Sequence, residues 1–297
     1  MNKKILIPPL KTQGIKSKIV PHILDLAKYN KQGTYFEPFM GSGVVGFNLM
    51  PQRAIFSDTN PHIINFYNAI KKGIISKDLT REFLSQEGAK LTQFGQDYYL
   101  EVRARFNCHK SPFDFLFLNR SCFNGLMRFN LKGDFNVPYC KKDKRFSQSY
   151  ITKICNQVDW VAKIIQSNDW TFICSHFVDI LNQVKEFDFV YCDPPYIDRY
   201  SDFFNKWGEK EELELFYQLN AMKTPFILST WHSNVYRTNE YIKTIWNKFD
   251  MNFITHFYHL GANECNRNAM KEVLVKNYTH NKINTNLYFT ESLFKAI

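Results

Sequence analysis

Apolar positions along the chain fall into short runs, each closed by glycine, proline or an acid. Thr34-Tyr35-Phe36 reads as a buried strand running into Glu37-Pro38-Phe39-Met40-Gly41-Ser42-Gly43. The apolar segment from Val44 to Met50 follows, and Pro51 closes it as a short helix. Ala54-Ile55-Phe56-Ser57-Asp58 is a second strand, ending on a carboxylate. Asn60-Pro61 then offers an N-cap and a first-turn proline for a helix through Asn65-Phe66-Tyr67. Strand, glycine turn, helix and strand in that order call for parallel pairing, so the predicted fold class is α/β. Further strands are predicted over residues 171–174, 187–192, 226–229, 253–258 and 272–276, and helices over 211–220 and 239–248. The last two strands have no helix between them, which predicts an antiparallel hairpin at the sheet edge.

Residues 71–150 differ in kind. They are rich in Arg, Phe, Tyr and Asn, lack strand alternation, and include Tyr98-Tyr99-Leu100-Glu101-Val102-Arg103-Ala104-Arg105-Phe106. This reads as a helical insertion that interleaves basic and aromatic groups as nucleic-acid grooves do, although an ordinary helical lid has the same composition. The domain organisation expected is a catalytic domain in two parts, 1–70 and 151–297, around an inserted 71–150.

Charge sharpens that picture. The 297 residues carry 38 Lys and Arg against 28 Asp and Glu, a net +10. Such a balance favours a polyanion, because each neutralised phosphate releases a condensed counterion. The seven cysteines, at 108, 122, 140, 155, 174, 192 and 265, never form a Cys-x-x-Cys pair, so neither a disulfide framework nor a metal site is expected. No apolar run reaches the ~18 residues of a membrane span. Pro8-Pro9 ends the N-terminal apolar stretch too early for a signal peptide, so a cytoplasmic protein is expected.

The candidate chemistry lies at two turns. In Glu37-Pro38-Phe39-x-Gly41-x-Gly43, the glycines let backbone approach a ligand closely, and Asp58 stands where a carboxylate meets ribose hydroxyls in nucleotide-type folds. The turn lacks the third glycine of the dinucleotide fingerprint and the Gly-Lys-Ser/Thr of a phosphate loop. S-adenosylmethionine has no phosphate and needs neither, and Glu37 can meet its amino group. The second turn, Asp193-Pro194-Pro195-Tyr196, follows the apolar run Phe189-Val190-Tyr191-Cys192 at the carboxyl end of a strand, where open α/β sheets bind ligands. The prolines fix φ, so the Asp193 carboxylate and Pro194 carbonyl form an acceptor pair for a planar amino nitrogen. Tyr196 offers a face for an extruded base. A plain strand ending in a Pro-Pro turn would explain the tetrapeptide alone, but not the glycine turn and Asp58 beside it.

Together these residues resemble the Dam-type, D12-class DNA adenine-N6 methyltransferases, over the whole chain. Leu10-Lys11-Thr12-Gln13-Gly14-Ile15-Lys16 looks like that family's N-terminal cofactor motif, and Phe115-Leu116-Phe117-Leu118-Asn119-Arg120 … Asn124-Gly125-Leu126-x-Arg128 … Phe135-Asn136-Val137-Pro138 like its target-recognition stretch. The resemblance implies a Rossmann-like methyltransferase sheet with a mostly helical target-recognition insertion. S-adenosylmethionine would be the cofactor and double-stranded DNA the substrate. The protein would act as a monomer from a bacterium or phage, methylating a target with a GAT-type core, with a cognate restriction endonuclease as a companion. Lys16, Glu37, Pro38, Phe39, Gly41, Gly43 and Asp58 would line the cofactor site together with His176, Phe177 and Asp193. Phe177 would lie against the adenine ring, with Asp179 nearby.

Lys11, Phe123, Asn124, Leu126 and Arg128 would meet DNA, with Asn136 and Pro138 from the same stretch. Phe123 stands where the family wedges an aromatic into the base stack, and Arg128 where it reads a guanine edge with a bidentate guanidinium. Lys141 and Lys142 follow as phosphate contacts. Three positions depart from the family pattern: Thr12 replaces an aromatic, Ile15 a glycine, and Thr230-Trp231 a more polar pair. The same chemistry fits cytosine's amino group or an RNA or protein amide, but those relatives carry Ser or Asn in place of Asp193. A DNA-binding module with a relic site is the reading from another class, against which Glu37, Gly41, Asp58 and Asp193 stand together. Taken singly, Phe123 is an ordinary core aromatic, Arg128 a paired arginine, and His176 and His232 structural histidines.

Overall fold

The strand alternation in the sequence sorts into two apolar layers, one on each face of a seven-stranded sheet. The computed structural model describes residues 4–197, 204, 206–233, 237–257 and 269–279. Its strands are β1 (Tyr35–Glu37), β2 (Arg53–Asp58), β3 (Asp169–Cys174), β4 (Phe189–Cys192), β5 (Phe226–Ser233), β6 (Asp250–Phe257) and β7 (Ala269–Lys276). They lie in the order β3-β2-β1-β4-β5-β7-β6. The first five run parallel, and β7 is antiparallel to both β5 and β6. Tyr35, Phe189, Tyr191, Ile227 and Leu274 point into one layer. Phe36, Val190, Cys192, Phe226, Leu228, Val273 and Val275 point into the other, as the two-residue period of a strand requires. The chain runs outward from β1 through β2 to β3 and then returns to β4 on the other side of β1. That reversal falls between β1 and β4, at whose carboxyl ends open α/β sheets bind their ligands.

Helices cover both faces. The first layer is packed by α1 (Val20–Leu26), α2 (Val44–Leu49), α3 (Pro61–Lys71) and the long helices that follow; the second by α7 (Phe177–Leu181), α8 (Glu209–Ala221) and α9 (Glu240–Thr244). Asn60 caps α3 as predicted, its side chain accepting from the His62 N–H at 3.0 Å ahead of the first-turn Pro61. Residues 71–150 hold α4 (Lys77–His109), broken at Gly95, and α5 (Pro112–Ser121); α6 (Gln148–Ser167) begins at their end. Leu84, Leu91, Tyr99, Val102 and Phe106 of α4 belong to the same apolar cluster as the sheet residues Tyr35 and Phe56.

Several predicted boundaries move, each for a local reason. β4 begins at Phe189 because Asp188 closes the preceding turn, accepting from the Thr34 and Lys185 N–H groups at 2.7 Å each, and Phe187 is left exposed. The helix expected over 239–248 is split into α9 and one 3₁₀ turn, Trp246–Lys248, which brings the buried Trp246 within 2.8 Å of Glu212. After Ser121 the insertion leaves helix altogether. Two antiparallel bridges, Cys122↔Tyr139 and Phe129↔Phe135, fold residues 122–139 on themselves. Asn130 turns the tip of the inner bridge by accepting from the Lys132 and Asp134 N–H groups. The two C-terminal strands do pair antiparallel, but only β6 is an edge; β7 sits between β5 and β6. Tyr258 of the expected strand 253–258 and Cys265 lie outside the described residues. Among the described residues no helix is long and apolar enough to cross a membrane.

Candidate active site

Parallel strands bring their carboxyl ends to one edge of the sheet, and there the predicted groups gather. Glu37 ends β1 and is 1% exposed. Its Oε2 accepts from the Tyr35 hydroxyl at 2.8 Å and the Gly46 N–H at 3.0 Å. Burial pushes its carboxyl up to about 8 against those two hydrogen bonds, with the Asp193 and Asp58 charges adding to the rise. Asp58 ends β2. Its two oxygens accept from the Gly41 N–H at 2.8 Å and the Asn60 N–H at 2.9 Å, so it stitches the glycine turn to the second strand. Gly41 and Gly43 have φ of +51° and +70°, a left-handed conformation that costs glycine nothing. Gly46 was not singled out in the sequence, yet a Cβ there would collide with the Phe56 ring and lie 2.7 Å from Glu37 Oε2.

An aromatic wall stands beside this turn. Phe39 and Phe177 have ring centroids 5.3 Å apart, and Trp207 closes on both at 5.4 and 5.6 Å. Phe177 is almost fully buried, His176 beside it is exposed, and Phe39 keeps part of its surface open. The Trp207 indole N–H donates to Glu212 at 2.7 Å, which fixes the ring from behind. Two carboxylates, a turn without Cβ atoms and an aromatic wall form a donor set that suits a cationic nucleoside ligand such as S-adenosylmethionine, with its ribose, adenine and ammonium. Asp58 has room for it, since a carboxylate accepts at about four lone-pair positions.

The tetrapeptide after β4 meets the N-terminal motif. Lys16, only 4% exposed, puts its Nζ 2.8 Å from Asp193 Oδ1, 3.0 Å from the Gly14 carbonyl and 4.8 Å from the centre of the Tyr196 ring. Desolvation raises the Asp193 carboxyl to about 6; Lys16 pulls it back and Glu272 pushes it further up. The Tyr196 hydroxyl donates to Glu272 Oε1 at 2.8 Å.

The residues expected to face DNA sit on the folded-back segment after α5. Phe123 is half exposed, and its N–H donates to the Pro138 carbonyl at 2.8 Å. Asn124 follows with φ of +53°. Arg128 Nε donates to Asn136 Oδ1 at 2.9 Å and its terminal nitrogen to the Asn136 carbonyl at 3.3 Å, so Asn136 aims the guanidinium. Lys11 joins them from the N-terminal motif. Its backbone N–H and carbonyl are both held by the Asn119 side chain, at 2.8 and 2.9 Å, and burial lowers its ammonium pKa. Leu126 is partly buried; Lys141 and Lys142 are exposed.

The family model of the D12 class N6 adenine-specific DNA methyltransferases matches residues 13–286. The chain belongs to that family. A DNA adenine methylase from Serratia marcescens is 35% identical over 164 residues, 54% of this chain and 56% of its own length. The type II methyltransferase M.FokI from Planomicrobium okeanokoites is 26% identical over 282 residues, 92% of this chain and 43% of its own. The chain thus spans about half the length of these two curated relatives. The type II methyltransferase M.MjaIII from Methanocaldococcus jannaschii is 34% identical over 211 residues, 64% of this chain and 68% of its own.

Within this D12-class chain the structure brings Lys16, Glu37, Phe39, Gly41, Gly43, Asp58, Phe177 and Asp193-Tyr196 to one end of the sheet. It sets Phe123, Arg128, Asn136 and Pro138 together elsewhere, on the insertion. Two participants escaped the sequence reading. Trp207 carried a signal, a lone tryptophan directly before an acid-rich helix start. Glu272 carried another, a carboxylate opening the apolar run Val273-Leu274-Val275.

Proposed function

We propose that the protein transfers a methyl group from S-adenosylmethionine to the N6 amino group of adenine in double-stranded DNA. The observation that carries this is the desolvated Asp193 carboxylate at the end of β4, beside an aromatic-walled glycine turn. When bound, the cofactor supplies a methyl group made electrophilic by its sulfonium. Glu37 would receive its ammonium, Asp58 its ribose hydroxyls, and Phe39, Phe177 and Trp207 would bracket its adenine.

Asp193 and the Pro194 carbonyl accept the two N–H bonds of the target amino group. Adenine's amino lone pair is delocalised into the ring, and holding both hydrogens favours the pyramidal nitrogen that can attack. Such a nitrogen cannot be reached inside a duplex, so the base is extruded and stacks on Tyr196. Rate enhancement then comes from alignment and fixed charges, and the amino proton leaves after transfer. Lys16 neutralises Asp193 in the free protein, and the incoming amino group takes up part of the same carboxylate.

Residues 71–150 act as the target-recognition insertion, with 1–70 and 151–297 as the two catalytic parts. Phe123 fills the gap left by the extruded base, Arg128 reads a guanine, and Lys11, Lys141 and Lys142 meet phosphates. The Dam-like recognition stretch favours a GAT-type core, and the chain's resemblance to the modification methyltransferase of the EcoRV system favours GATATC as target and protection against a restriction endonuclease as role. Sequencing the methylated genomic DNA of a host expressing the chain reads the target directly. Asp193→Ala abolishes methyl transfer and leaves DNA affinity near its starting value; equal loss of both would refute the assignment.

A further inference from the structure

We infer that Glu272 is a positioning residue for methyl transfer, its buried carboxylate holding the Tyr196 hydroxyl and so fixing the ring plane on which the extruded base stacks. This rests on the function proposed above. Glu272 lies in β7, in register with Trp231 of β5 and Ile254 of β6, and is 0% exposed. Burying a charge between two strands opposes folding unless it is paired and hydrogen-bonded. Sheet packing gives no reason for it, since Val273, Leu274 and Val275, the next three residues of β7, are apolar and fully buried. What stands against Glu272 is the catalytic turn, 76 residues earlier in the chain, with the Tyr196 hydroxyl donating to it at 2.8 Å.

The ring is thereby held at two points. The Lys16 ammonium sits over its face at 4.8 Å, and Glu272 anchors its far tip. A phenol ring has two torsions. The bond to Glu272 fixes the first by holding the hydroxyl in place, and biases the second because a phenol O–H prefers to lie in the ring plane. A charge-assisted hydrogen bond is shorter and about twice as strong as a neutral one, which suits a carboxylate to this task.

The test is a double-substitution cycle, read as turnover of tritiated methyl groups from S-adenosylmethionine onto unmethylated genomic DNA. Tyr196→Phe keeps the ring and removes the hydroxyl, and should lower kcat about tenfold with the cofactor KM unchanged. Glu272→Leu should lower kcat about tenfold in the wild-type background and less than about twofold in the Tyr196→Phe background. Glu272→Gln keeps an acceptor and should retain most of the rate. Equal losses from Glu272→Leu in both backgrounds would mean a structural role only and overturn the inference. If Glu272→Leu does not fold, an undiminished kcat for Tyr196→Phe overturns it equally. A wild-type chain that methylates no DNA takes down the proposed function along with this inference, whereas additivity in an active enzyme removes this inference alone.

Discussion

Glu37, buried at the end of β1, and Asp193, partly buried after β4, both have carboxyls raised above their ordinary range, to about 8 and about 6. Glu37 rises to about 8, so in the free protein at neutral pH it keeps its proton. Its ordinary value of 4.5 returns on unfolding, so between 4.5 and about 8 the unfolded chain gives up a proton that the folded one retains. Folded stability therefore falls as pH rises through that window and levels off above it. Glu37→Gln removes the slope: its melting temperature relative to wild type should climb from pH 5 to pH 8, as thermal denaturation across that range would show. Asp193, raised to about 6, would fill the proposed acceptor role best when ionised, since protonation turns one of its oxygens into a donor. The acid limb of kcat/KM should accordingly fall near pH 6, two units above an ordinary aspartate. A limb near 4 would mean that Asp193 is not the acceptor.

At the scale of elements, the segment from Phe123 to Pro138 shows why some of the site was legible and some was not. Asn136 holds the Arg128 guanidinium in place through two hydrogen bonds. Arg128→Ala should relax specificity at one base pair, by ~1–3 kcal/mol. Asn136→Ala should relax the same position by less, as competition between matched and mismatched duplexes would reveal. Uniform weakening for all sequences would make Arg128 a phosphate contact. β1, β2 and β4 were readable because their apolar runs end at an acid, Glu37, Asp58 and Asp193, and punctuation of that kind is local. The amphipathic α6 is absent from the expected helices, although Ile151, Ile154, Cys155, Val158 and Val161 fall on one face. The fold-back after Ser121 was not readable, because it is held by bridges 17 and 6 residues apart and by single side chains such as Asn130. Glu272 was hidden for the same reason: its partner lies 76 residues away, and a carboxylate ahead of an apolar run does not say what it pairs with.

Over the whole molecule, α4 and α5 share one apolar cluster with the sheet and have no core of their own. Residues 71–150 should therefore unfold with the rest of the chain in a single calorimetric transition; two resolved transitions would show that they fold independently. Their location in the middle of the sequence is a matter of connectivity, not of autonomy. The order of strands has a consequence of a different sort, in time. β5 carries six consecutive fully buried residues, Phe226 to Trp231, and its second neighbour is β7, encoded some forty residues further on. During synthesis β4 can cover one side of β5 at once, while the other side stays an open, apolar strand edge until Lys276 has left the ribosome. A nascent chain stalled before that point should be sticky and chaperone-bound. The chain thus covers the open side of β5 and brings Glu272 to the Tyr196 hydroxyl at nearly the same moment.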